Sequence, residues 1–266
     1  MPPRIASLVP SLTELLFELG LGPWVVARTG FCIHPHDAVA AVPKVGGTKD
    51  VNLAKLRRLA PTHVIVNVDE NRRETVEAIR GWSDADGKPA APTIIVTHPL
   101  APEDNLALAT ELLAHFGSID GVAERARRFG DALQAELALT RPDGRPVQRV
   151  LYLIWREPWM TVARDTYIAR VLERVNWQTL PARDGGLSGA ARYPTLTGDE
   201  PWLAQVDRVL LSSEPYAFGP RHVSEAQALC PQAQVRLVDG EMLSWYGARA
   251  VPGLRYLRQI ADGGRP

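Results

Sequence analysis

Residues 31–37 read Phe-Cys-Ile-His-Pro-His-Asp, so Cys32, His34 and His36 alternate along one short segment. Thiolate and imidazole suit zinc, cobalt, nickel or copper, and alternate residues of an extended loop can face one ion. The spacing is not that of a zinc finger, so a fourth protein ligand must come from elsewhere, and Glu70 is the nearest candidate. The same residues also read as a small buried cysteine with surface histidines. As a nucleophile and base, Cys32 and His34 are poorly placed, because side chains two apart on an extended loop rarely meet in the geometry a dyad needs.

A second group is aromatic. The chain has seven tryptophans, and five of them are Trp155, Trp159, Trp177, Trp202 and Trp245. Trp155, Trp159 and Trp245, with Tyr246, fall in loops where flat faces can hold a large planar or hydrophobic ligand. Trp177 and Trp202 are expected in ordinary core packing. Glu70 and Glu214 each follow a strand-like run, where a carboxylate meets a cationic group or caps the next helix. Ser11, Phe31, Asn71, Ser244 and Arg249 complete the candidate ligand-binding set, Arg249 as an anchor for a ligand carboxylate or as a partner of Asp239. Residues 46–49, Gly-Gly-Thr-Lys, lack the spacing of a phosphate loop, and no G-x-S-x-G, H-E-x-x-H or dinucleotide fingerprint occurs. A binding protein is expected, not an enzyme.

These residues act together only if the fold gathers them. Residues 4–9 read as a strand, and Ser11-Leu12-Thr13-Glu14 as a capping box opening a helix that Gly20 stops. Strand-like runs at 24–27, 64–66 and 94–96 alternate with helical patterns near 53–59, 76–79 and 106–116. An uninterrupted helical pattern then covers 122–139, and the alternation resumes with strands at 150–155, 209–211 and 235–238. Helices are expected at 167–175, 224–229 and 250–260, with a glycine-rich loop over 184–198. Alternation of this kind means α/β architecture: two Rossmann-like lobes with mainly parallel sheets joined by one long interdomain helix. The expected boundaries are 1–117, 118–141 for the helix, and 142–266. Ligands meet loops at the carboxyl ends of such strands, so the site is expected between the lobes.

Composition bounds the rest. The chain is 45% hydrophobic and 23% charged, with 30 Lys+Arg balancing 30 Asp+Glu, which excludes extensive disorder and a broad nucleic-acid or anionic-membrane surface. No apolar run approaches the ~20 residues of a membrane span, so no membrane insertion is expected. Two cysteines make no disulfide framework. Without an apolar signal core or lipobox cysteine near the start, the expected compartment is the cytoplasm, or the periplasm if a leader has been removed.

The run Ile5-Ala6-Ser7-Leu8-Val9-Pro10-Ser11-Leu12-Thr13-Glu14 resembles the opening of the class III binding proteins of cobalamin, haem and ferric-siderophore ABC importers. Val45-Gly46-Gly47 and residues 59–66, with Thr62-His63 where Asp-Leu is usual, look like the next landmarks of that superfamily. Phe31-Cys32-Ile33-His34-Pro35 and Ser244-Trp245-Tyr246-Gly247 look like its helical-backbone metal receptor branch, nearest to cobalamin-binding proteins. The resemblance implies two lobes clamping a corrinoid, or else another metal chelate, in an interlobe cleft. It also implies a monomer docking on an ABC permease through an acidic residue of each lobe, although the corresponding helix carries Arg72, Arg73 and Glu74. Trp155, Trp245 and Tyr246 would meet the ligand's apolar face; Cys32, His34 and Glu70 would meet metal or polar groups; Ser11 and Arg249 would bind its periphery. The alternative is a cytosolic transition-metal-binding protein, or a metal-dependent enzyme, using Cys32, His34 and His36.

Overall fold

The computed structural model describes residues 2–83, 87 and 90–264. Contacts divide the chain into two units, residues 1–98 with 107–130, and residues 99–106 with 131–266. Each unit is built on one four-stranded parallel sheet, so both expected α/β lobes are present.

In unit 1 the strands are β1 (Ile5–Ser7), β2 (Val25–Arg28), β3 (His63–Asn67) and β4 (Thr93–Thr97), in the order β2-β1-β3-β4. Parallel neighbours cannot be joined by hairpins, and helices make the crossovers. These are α1 (Pro10–Glu18), α2 (His36–Ala40), α3 (Leu53–Arg58) and α4 (Arg73–Arg80). Ala6, Val64 and Val66 of the strands pack against Leu56 and Ile79 of the helices. Asn52 caps α3 as its type suggests, its side-chain oxygen accepting from Lys55 N at 2.9 Å. The expected capping box at Ser11 does not form. Pro10 is already in the first turn, where its missing N–H costs nothing, and Val9 is the N-cap. Ser11 is therefore inside the helix and buried, its hydroxyl without a hydrogen-bond partner among the described residues.

Unit 2 repeats the order. Its strands are β5 (Gln148–Leu153), β6 (Trp177–Thr179), β7 (Arg208–Ser212) and β8 (Gln234–Val238), arranged β6-β5-β7-β8. Leu151, Leu153, Val209 and Leu211 form the core with Phe218, Ala226 and Cys230. The strand β6 is an addition to the sequence reading, because Trp177-Gln178-Thr179 lies in no apolar run of the kind that marks β1. Trp177 is buried there beneath the Arg208 guanidinium, 5.2 Å from the ring centroid, as a core tryptophan.

Two helices carry chain from one unit to the other, α5 (Asp104–Phe116) and α6 (Val122–Leu139). The long helix expected over 118–141 is α6, about 27 Å at 1.5 Å per residue. Its last turns belong to unit 2, where buried Glu136 accepts from Arg255 at 2.5 Å and lies 3.1 Å from Arg258, both on the C-terminal helix Ala250–Ala261. Residues 99–106 also pack with unit 2, ahead of the expected lobe boundary at 117. Asn105 explains this, since its Oδ1 accepts from Gly247 N at 2.6 Å and its Nδ2 lies 3.2 Å from Tyr167 Oη. Among the described residues no helix is long and apolar enough to cross a membrane.

At the amino end of β3, His63 packs edge-on to Phe116 at 4.9 Å and to His115 at 5.8 Å. Burial, then the neighbouring His115, lowers the His63 pKa below the ordinary histidine value. A histidine depressed in the fold binds its proton more weakly than in the unfolded chain. Its contribution to stability is therefore complete above the unfolded value and lost as pH falls through the folded one. We expect unit 1 to loosen as pH drops below about 6.5, read by amide exchange of β3, and His63→Phe to remove that component.

Candidate functional site

The sequence-predicted residues that converge best lie at the carboxyl ends of β7 and β8. Glu214 Oε1 accepts from Ser244 Oγ at 2.8 Å and from the indole Nε1 of Trp245 at 2.5 Å. Ser244 closes the short helix α9 (Gly240–Ser244), whose N-cap Asp239 accepts from Met242 N at 3.3 Å. Gly240 allows the two loops to approach. A Cβ there would stand 2.4 Å from Ser212 Oγ and 2.7 Å from Glu214 Cγ. Beneath it, Ser212 Oγ donates to Glu214 O at 2.6 Å, so the buried Tyr152 hydroxyl donates to Ser212, 2.9 Å away. Burial raises the Glu214 pKa, the Ser244 and Trp245 hydrogen bonds oppose that rise, and Glu241 and Asp239 add to it. Arg249 lies 5.7 Å from the Trp245 ring centroid and 3.3 Å from Glu241. Its carboxylate partner is thus Glu241, where the sequence suggested Asp239. Tyr246 is buried edge-on to Tyr167 at 5.8 Å, which makes it packing and not an open aromatic face.

A second aromatic group follows β5. Trp155 is 41% exposed and meets Tyr216 edge-on at 5.6 Å. Trp159 is spent differently. Its ring stacks on Phe218 at 5.9 Å and carries the Arg156 guanidinium at 4.7 Å, and Arg156 is held in turn by Glu225 at 2.6 Å. Of the two, Trp155 is the ring with a surface to offer. Tyr216 and Phe218 belong to this cluster although neither was singled out from sequence; aromatic types just beyond a strand end were the available signal.

In unit 1 the expected metal cluster is not assembled. Arg28, 4% exposed, gives Nε to Val39 O at 2.9 Å and Nη1 to Thr29 O at 3.2 Å and Cys32 O at 3.0 Å. The loop curls around this guanidinium and drives Cys32 inward, its Sγ 3.2 Å from Thr29 Oγ1 and 3.9 Å from Ser7 O. Burial pushes the thiol pKa up. His36 begins α2 on the outside, its Nδ1 3.1 Å from Asp37, and His34 is half-buried. Among the described residues no three His, Cys, Asp or Glu side chains form a group able to hold a metal. The reading of Cys32, His34 and His36 as joint ligands is therefore corrected.

Asn71 is likewise structural. Its Oδ1 accepts from Asn67 N at 2.8 Å, and its Nδ2 donates to Leu8 O at 3.1 Å and Thr48 O at 3.0 Å, which ties three loops together. Asn67 Oδ1 in turn accepts from Asp69 N and, at 3.3 Å, from the backbone of half-buried Glu70. With polar groups engaged inward, these loops present apolar tips. Phe31 is 63% exposed, Ile33 47% and Val68 39%.

The chain resembles known binding proteins at low identity over nearly its full length. It is 21% identical to a vitamin B12-binding protein of Pectobacterium carotovorum over 257 residues, covering 87% of this chain and 88% of that one. It is 21% identical to an uncharacterized ABC transporter substrate-binding lipoprotein of Bacillus subtilis, covering 97% and 79%. Among solved structures, a periplasmic vitamin B12 binding protein of Vibrio cholerae superposes with TM-score 0.76 at 20% identity, covering 98% of each chain. A periplasmic haem binding protein of the same organism gives 0.75 at 18%, again covering 98% of each. No family model matches the chain. The likeness shows that this chain has the class III binding-protein fold, and these relatives are named as binding proteins, one of them as the substrate-binding lipoprotein of an ABC transporter, and not as enzymes.

Two outcomes follow from the geometry. Glu214→Ala removes the acceptor of the Trp245 indole, so Trp245 emission should shift to the red, whereas Glu214→Gln, which keeps an acceptor oxygen, should leave most of the spectrum in place. Cys32 and Cys230 are buried with pKa values pushed up, that of Cys230 to about 11. Neither thiol should react with a neutral-pH thiol reagent until the chain is unfolded, and rapid native labelling of Cys32 would contradict its inward placement.

Proposed function

We propose that this chain is the ligand-binding component of an ABC-type importer and takes a metal-bearing macrocycle, a corrinoid first and a haem or ferric chelate second. The observation that carries this reading is the anchored Trp245 in the carboxyl-end loops of unit 2, with exposed Trp155 in another loop of the same sheet edge. An indole held through its N–H keeps its plane fixed, and with exposed Trp155 nearby in the same set of loops this favours a large flat ligand over a bare ion. The full-length likeness to proteins named for vitamin B12 and haem binding supports the same ligand class. A permease is the partner such a component requires. The periplasmic and lipoprotein relatives favour a site outside the cytoplasmic membrane over the cytoplasm expected from the sequence as written. The metal-dependent enzyme built on Cys32 loses its support, because Cys32 is buried, His36 is exposed, and no three such side chains among the described residues form a group able to hold a metal.

The test is calorimetric titration with cyanocobalamin, haemin and a ferric siderophore. One of them should bind saturably, at one per chain, with micromolar or tighter affinity, and Trp245→Ala should weaken it by about tenfold or more. Absence of heat from all three would sink the ligand class.

A further inference from the structure

His222, the buried imidazole at the start of helix α8 (Arg221–Leu229), takes no part in the Glu214 cluster. Its Nδ1 accepts from the backbone N–H of Gly219 at 2.9 Å. Its Nε2 lies 3.2 Å from Tyr216 Oη, and the Arg221 Nε–H is also aimed at Nε2, 3.2 Å away. A neutral imidazole carries one proton, so a nitrogen that accepts leaves its partner nitrogen as the donor. The Gly219 N–H is fixed in the backbone and cannot turn aside, whereas Arg221 is an exposed, flexible side chain. Nδ1 is therefore the bare nitrogen and Nε2 carries the proton. That proton goes to Tyr216 Oη, and Arg221 has no acceptor to hold it there.

Tyr216 is itself well fixed. Its ring lies 4.7 Å from Phe218, 5.4 Å from His222 and 5.6 Å from Trp155, and its backbone N–H reaches Ile154 O at 3.3 Å. A hydroxyl that accepts from Nε2–H keeps its own proton for a different acceptor, and among the described residues no protein group takes it. We infer that Tyr216 is a further ligand-binding residue beside Trp155, donating a hydrogen bond to an acceptor oxygen on the rim of the bound molecule. His222 is its positioning residue, setting which way the phenolic proton points. This rests on the binding function proposed above and narrows its ligand to one that carries rim oxygens. A corrinoid offers amide carbonyls and a haem offers carboxylates, the same chemistry from two sources.

Nitrogen-15 NMR of His222 in the ligand-free protein reads the tautomer directly, and Nε2 should be the protonated nitrogen. Titration with cyanocobalamin and with haemin then compares wild type with Tyr216→Phe, His222→Leu and His222→Gln. Tyr216→Phe keeps the ring packing and should weaken the probe that binds by about fivefold, as expected for one neutral hydrogen bond. His222→Leu should weaken it similarly, and His222→Gln, whose amide N–H replaces Nε2–H, should restore most of the affinity. Whichever probe loses affinity identifies amide or carboxylate as the acceptor. A proton on Nδ1, or unchanged affinity of Tyr216→Phe for a probe that wild type binds, overturns the inference and leaves the binding function standing. Failure of wild type to bind either probe overturns that function for both ligands, and this inference with it.

Discussion

A parallel sheet returns every strand to the same edge, so the loops leaving its carboxyl ends crowd together with polar groups that no further strand can pair. In unit 2 that crowding is resolved by one carboxylate. Glu214 leaves β7, turns inward, and accepts from Ser244 and Trp245 beyond the end of β8. The contact depends on Gly240, on the Tyr152–Ser212 pair beneath it, and on Asp239 capping α9. It keeps a carboxylate in an environment that opposes its ionisation, at a position where the result is a fixed indole.

Unit 1 meets the same constraint with other residues. Arg28, Asn67 and Asn71 turn their polar atoms toward backbone groups of the loops around them. What remains outward at Phe31, Ile33 and Val68 is apolar. The two units thus share a topology and differ in what they present, anchored aromatic rings in one and apolar loop tips in the other.

Much of this was legible in the sequence because it follows from periodicity. Among the described residues, the alternation of short apolar runs with helical stripes located seven of the eight strands, and the long helix was legible because residues 122–139 hold no proline and keep apolar residues at helical spacing through Gly130. Side-chain direction was harder. Cys32, His34 and His36 alternate, which in an extended segment would set them on one side, but Arg28 curls the loop around its own guanidinium. That residue ends β2, and sequence offers no sign that it faces inward. Ser11 misled for a simpler reason: Ser-x-x-Glu matches a capping box, and Pro10 one position earlier started the helix first. Glu214, Ser244 and Trp245 were each suspected separately, yet their joint hydrogen bonding joins residues 30 or more apart and depends on the sheet order. The contact between Tyr216 and His222 likewise leaves no pattern in the sequence, because it forms only when the loop after β7 folds back on the helix that follows it.

The central claim is that the carboxyl-end loops of unit 2 hold the ligand. Indole N–H resonances of the seven tryptophans, followed through a titration with cyanocobalamin or haemin, test it most directly. The account predicts that Trp155 and Trp245 shift with occupancy while Trp177 and Trp202 stay in place. Saturable binding that moved Trp177 or Trp202 and left Trp155 and Trp245 unperturbed would contradict it.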